Sequence, residues 1–159
     1  MYKNMLLMRN GCEGCSMKTC LGVLLAESFD AKVTAVYVTG DFTWRELRHI
    51  YGLDELKWSG AARAGKDAIA DAERRKAGLA KEALESTEKM CADRRIPCET
   101  VHFSSRSPLH GVMKVAEEKR CDVIVTSADP QTAIGLMPCV KTGRTDGKVR
   151  IPVLFHHAV

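Results

Sequence analysis

Apolar residues fall into two alternating rhythms along this chain. Met5-Leu6-Leu7-Met8 is a short unbroken apolar run closed by Asn10-Gly11, the form of a buried strand entering a turn. Met17, Cys20, Leu21, Leu24 and Leu25 then recur at helical spacing, which predicts a helix with one apolar face. Val33 to Val38 is β-branched and aromatic, a second strand. From Ala61 to Arg95 the spacing predicts a long helix, with Ile69, Ala72, Leu79, Ala83, Met90 and Cys91 as its inner stripe. At ~1.5 Å per residue it would run ~52 Å unbroken, so a break or late start is expected at Gly65 or Gly78.

Cys98 to Phe103 alternates like a strand, and Ser107-Pro108 opens a helix lined by Leu109, Val112, Met113 and Ala116. Asp122 to Thr126 and Ile151 to Phe155 complete five strands. Strands alternating with helices predict an α/β fold, a parallel sheet with helices on both faces. No repeat and no linker divides the 159 residues, so residues 1–159 read as a single domain.

Composition narrows the class. Hydrophobic residues make up 45% and charged residues 28%, as in a folded globular protein rather than a disordered chain. A net charge of +4 is too small to imply a nucleic-acid partner without a localised patch. The opening segment is too short an apolar run for a signal peptide or a membrane span, so no membrane association and a cytoplasmic address are expected. Seven cysteines, an odd number at irregular spacings, argue against a secreted disulfide framework.

Several segments resemble the universal stress protein family. Tyr2-Lys3-Asn4-Met5-Leu6-Leu7 is similar to its opening strand, and Ala31-Lys32-Val33-Thr34 to its second. Ser105-Arg106-Ser107-Pro108, running into Val115-Ala116-Glu117-Glu118 and Asp122-Val123-Ile124-Val125, resembles its third helix and fourth strand. Arg150-Ile151-Pro152-Val153-Leu154 resembles its closing strand. The resemblance implies a five-stranded parallel sheet in the order 3-2-1-4-5, of the adenine nucleotide alpha hydrolase type. It implies a ligand crevice at the carboxyl ends of strands 1 and 4, here near Asn10, Gly11, Val38 and Ser127. It also implies a homodimer paired through the C-terminal strand, where the apolar segment Val149 to Phe155 needs cover.

Family members that bind ATP close the first strand with Asp and follow the fourth with a glycine-rich loop. Here Asn10 replaces the Asp, and Ser127-Ala128-Asp129-Pro130 stands where the first glycines would lie. Pro130 has no N–H for a phosphate, and Asp129 would repel one. Nucleotide binding of the usual kind is not expected, and the chain is similar to the family's non-nucleotide members. An ATP- or AMP-binding role stays open as an alternative.

Cys12-Glu13-Gly14-Cys15 stands at the head of the first helix, where the helix dipole favours thiolate. The pair reads either as a plain turn or as a redox or metal-sensing site, with His156 or His157 as a distant further ligand. A thioredoxin-like fold also carries such a motif, but this chain ends seven residues after Pro152. Cys20 falls on the inner helix face, and Cys91, Cys98, Cys121 and Cys139 stand singly and read as small hydrophobes.

Phe42 to Trp58 concentrates four of the nine aromatics, either as a partner-binding surface or as rings packed on the sheet edge. Lys141, Arg144, Lys148 and Arg150 form a basic cluster that reads as a solvated loop or an anion site, and His49 and His110 as surface residues. No nucleophile, base and acid stand at a recognisable spacing, so no enzymatic activity is expected. The sequence thus points to a stress-response binding or signalling module without a resident cofactor.

Overall fold

The computed structural model describes residues 2–9, 15–39, 61–105, 108–127 and 151–156. Five parallel strands form one sheet: β1 (Asn4–Met8), β2 (Lys32–Thr39), β3 (Cys98–Ser104), β4 (Val123–Ser127) and β5 (Val153–His156). Their spatial order is β3-β2-β1-β4-β5, as the family resemblance implies. The register aligns Met5 of β1 with Val33 of β2 and with Val123 of β4, which leaves β1 central and buried along its length. A strand buried on both faces must be apolar at every position, which explains the unbroken Met-Leu-Leu-Met run.

The helices among the described residues are α1 (Cys15–Phe29), α2 (Ala61–Asp93) and α3 (Pro108–Glu118). Strand alternation divides the core into two layers. Met5, Leu7, Val33, Ala35, Val123 and Val125 pack with Val23 and Ala26 of α1 and with Ala80, Leu84 and Cys91 of α2. Leu6, Met8, Val36, Val38 and Ile124 pack with Val112, Val115 and Ala116 of α3. The sheet is therefore covered on both faces.

Three sequence expectations need correction. Helix α2 runs through Gly78 without a break, so the interruption expected at Gly65 or Gly78 does not occur. A single glycine costs a helix only ~1 kcal/mol, and Ala80, Leu84, Thr87 and Cys91 anchor the C-terminal half in the core. The Thr87 hydroxyl, fully buried, donates to the Ala83 carbonyl at 2.9 Å. Leu79, placed in the inner stripe, is 58% exposed, because the buried line runs through Ala80 and Leu84 instead.

The face of α1 also differs. Leu24 is 38% exposed while Val23 and Ala26 are fully buried. This helix is apolar around most of its circumference, so periodicity alone does not choose its inner side. Gly22 faces the central strand: a Cβ there would lie 2.8 Å from Leu7 Cδ2, so a larger residue would require the Leu7 side chain to shift.

The three described helices end alike. Asp30, Arg95 and Arg120 adopt left-handed backbone, with φ of 52°, 58° and 52°. The following residue then donates its N–H back into the helix, Ala31 to Ala26, Ile96 to Cys91 and Cys121 to Ala116, at 2.9, 2.9 and 2.8 Å. This is the six-to-one closure that glycine usually makes, here built without it. Each closure delivers the chain directly to the amino end of the next strand.

Candidate functional site

The two ends of the sheet have different chemistry. At the amino end several polar groups are paired within the fold, while the buried Asn4 Oδ1 has no hydrogen-bond partner. The Asp122 carboxylate accepts the Lys3 and Asn4 N–H groups at 2.7 and 2.9 Å. The Asn4 side-chain amide donates to the Lys119 and Arg120 carbonyls, tying β1 to the end of α3. Glu27 and Arg94 pair at 2.5 Å between α1 and α2, and Lys119 pairs with Glu99. A cleft of about 540 Å³ lies at this end, lined by Val23, Glu27, Met90, Asp93, Arg94 and Arg95. It sits on the far side of the molecule from the crevice the topology defines.

At the carboxyl end the apolar strands finish in polar residues: Arg9 after β1, Thr39 on β2, Ser104 and Ser105 at β3, and Thr126 and Ser127 on β4. This is the end at which an open α/β sheet offers a ligand crevice, between β1 and β4 where the strand order reverses. Arg9 is only 9% exposed, and its backbone N–H donates to the Val36 carbonyl at 2.7 Å. A guanidinium stays charged at all physiological pH, so this position brings permanent positive charge to the rim. The Thr126 hydroxyl is buried and donates to the Met8 sulfur at 3.7 Å, closing the β1–β4 seam just below.

A second polar group stands at the β2–β3 corner. The Thr39 hydroxyl lies 2.8 Å from the Ser104 hydroxyl and 3.3 Å from His102 Nε2. The Ser105 N–H donates to the Thr39 carbonyl at 3.0 Å. Tyr37 meets the His102 ring edge-on at 6.0 Å. The register produces this cluster, since Tyr37 pairs with His102 and Thr39 with Ser104 on one face.

The residues singled out from sequence are placed as follows. Val38 is buried against α3 in the core beneath the rim. Ser127 ends β4 opposite His156 of β5. Cys15 begins α1, as the helix-head reading expects. Asn10, Gly11, Cys12, His157, Cys139, the segment 42–58 and the basic cluster at 141–150 lie outside the described residues. Among the described residues, no group of three His, Cys, Asp or Glu side chains could hold a metal ion.

Sequence reasoning passed over Arg9, Thr39, His102 and Ser104. Arg9 had one available signal, a charged residue closing an entirely apolar strand. Cys91 is buried in the core and Cys98 packs against it, as their reading as small hydrophobes expects. Burial pushes the Cys121 thiol above the ordinary value, with the nearby Thr34 hydroxyl opposing the shift.

No protein-family model matches the chain, and no curated protein matches it in sequence. Solved structures do match in shape. A protein of the universal stress protein family from Burkholderia pseudomallei superposes with a TM-score of 0.64 at 17% identity, over 99% of this chain and 97% of that one. A universal stress protein family member from Arabidopsis thaliana with AMP bound gives 0.59 at 10% identity, over 98% and 91%. The universal stress protein from Archaeoglobus fulgidus in complex with dAMP gives 0.56 at 13% identity, over 97% of each chain. The fold of this chain is the universal stress protein fold. Among the described residues, no helix is long and apolar enough to cross a membrane.

Proposed function

We propose that this chain is a stress-response binding module of the universal stress type, not an enzyme, and that it does not hold a nucleotide in the usual way. The observation that carries the reading is the sheet order β3-β2-β1-β4-β5, shared over nearly the whole chain with universal stress protein structures. A polar carboxyl rim supports a ligand role for that end of the sheet. The departure from nucleotide binding rests on the residues around it. Arg9 and Asn10 close the first strand where the family resemblance calls for a carboxylate, and Asp129-Pro130 follows the fourth where it calls for glycine.

A buried cation with hydroxyls at neighbouring strand ends favours a small anionic ligand. Titration calorimetry with AMP, ATP and inorganic phosphate, on protein stripped of bound small molecules, tests this. We expect heat from phosphate that is lost in Arg9→Met, and none from the nucleotides up to millimolar concentration. Stoichiometric AMP or ATP in the purified protein would overturn the reading.

The proposal includes a homodimer through β5. That strand forms one edge of the sheet and leaves Leu154 38% exposed beside partly buried Ile151 and Val153. A second copy would cover the apolar edge. Sedimentation of Leu154→Lys beside the unsubstituted chain should show monomer against dimer. A monomeric unsubstituted chain would end that part of the proposal.

A further inference from the structure

Strand alternation gathers the polar rim onto one face of the sheet. Met5 and Leu7 of β1, Val33, Ala35 and Tyr37 of β2, and Cys98 of β3 belong to the core layer under α1 and α2. The period of two then places Arg9, Thr39, His102 and Ser104 on that same side, at its carboxyl end. Helix α2 stands over it. Cys91, in its last turn, lies in the core with Val33, and the ~20 Å from Val33 to Thr39 matches about thirteen residues of helix. The N-terminal part of α2 therefore continues past the strand ends as a wall. Lys76, half-buried on the line between buried Ala72 and Ala80, brings a second cation to the level of the rim.

The β2–β3 corner of this rim is an acceptor surface. The Thr39 hydroxyl has one proton and donates it to the Phe103 carbonyl at 3.4 Å, a group that can only accept. Its other neighbours, Ser104 Oγ at 2.8 Å and His102 Nε2 at 3.3 Å, are then donors to the Thr39 oxygen. Ser104 has used its only proton and keeps its lone pairs. His102, with its proton on Nε2, keeps Nδ1 as an acceptor. Both side chains are exposed, so a ligand can meet them. Acceptors of this kind repel the oxygens of an anion and take hydrogen bonds from O–H groups.

One face of the rim thus combines cations at Arg9 and Lys76 with hydroxyl acceptors at Ser104 and His102. A ligand that satisfies both carries an anionic head and a body rich in hydroxyl groups. We propose that the carboxyl rim binds a phosphorylated sugar, an assignment that rests on the anion site at Arg9 and extends it to the β2–β3 corner. The phosphate lies toward Arg9, and the sugar hydroxyls donate to Ser104 and His102. Strands β1 and β3 stand two spacings apart, ~10 Å, a gap that a sugar phosphate spans from phosphate to far hydroxyl. An adenine nucleotide suits the same rim poorly, because its base turns ring nitrogens, themselves acceptors, toward acceptors.

Titration calorimetry on the full-length chain, stripped of bound small molecules, tests the two ends separately. The probes are glucose 6-phosphate, ribose 5-phosphate, inorganic phosphate and ethyl phosphate, which has the charged head but no hydroxyl body. We expect at least one sugar phosphate to bind about tenfold tighter than inorganic or ethyl phosphate, the worth of two hydrogen bonds. Ser104→Ala and Thr39→Val should each remove most of that advantage and leave the affinity for inorganic phosphate unchanged. Arg9→Met should lose the heat from all four probes. Heat from inorganic phosphate with no gain from either sugar phosphate, or a gain that survives both corner substitutions, overturns the sugar assignment and leaves the anion site standing. No heat from inorganic or ethyl phosphate overturns the anion site, and the sugar assignment with it. Should Thr39→Val fail to fold, Ser104→Ala, at an exposed position, decides alone.

Discussion

The Phe103 ring occupies the space that a side chain at Gly111 would need. A Cβ built on Gly111 collides with Phe103 Cε2 and lies 2.7 Å from Cζ. Helix α3 reaches the sheet at this point only because residue 111 has no side chain. Gly111→Ala should therefore destabilise the protein by ~1–3 kcal/mol through overpacking, read as a lower urea midpoint. Adding Phe103→Leu should restore part of the loss. An unchanged midpoint in the single variant would mean that the ring moves aside freely.

Gly78 gives the opposite result. Nothing lies within 4 Å of a Cβ built there, and the residue sits inside an unbroken helix. Gly78→Ala should stabilise by ~0.5–1 kcal/mol by lowering the entropy of the unfolded chain. Thermal unfolding of the two proteins side by side checks the sign.

The helix ends at Arg95 and Arg120 carry a side chain in a backbone region that costs ~1–2 kcal/mol for an ordinary residue. Glycine removes that cost and returns some unfolded-state entropy. Arg95→Gly and Arg120→Gly should each gain ~0.5–1 kcal/mol, and Asp30→Gly less, because Asp tolerates this region better. Denaturant midpoints that fall instead would assign those arginine side chains a contact worth more than the backbone relief.

Cys121 predicts a pH dependence. Burial raises its thiol above the ordinary value of 9.0, so the folded state holds the proton more tightly than the unfolded chain. The associated stability is intact below about pH 9 and is lost as pH rises through the folded value. Stability measured from about pH 8 to about pH 10.5 should fall more steeply for the unsubstituted chain than for Cys121→Ala. The variant carries a constant packing loss but lacks this titration. Parallel curves would remove Cys121 as the cause.

The strands were legible because burial on both faces demands unbroken apolar runs, and Met5 to Met8 and Val123 to Val125 comply. Helix faces were less so. In α1 the choice between Val23 and Leu24 falls to the contact of Gly22 with Leu7, which no periodicity records. The crevice could be located from topology, but not all of its chemistry. Thr39, His102 and Ser104 meet only through the β2–β3 register. Cys91 and Cys98 share one core layer across a turn at Arg95 that is left-handed, a position where sequence reasoning looks for glycine.

Those left-handed turns have a further consequence. The bonds that close each helix run from main-chain N–H to main-chain carbonyl, so they ask nothing of the side chains at Asp30, Arg95 and Arg120. Where backbone alone makes the turn, substitutions can accumulate without changing the path of the chain. Turns made this way leave the architecture independent of the letters at those positions, which accords with 17% identity across a superposition over 99% of the chain.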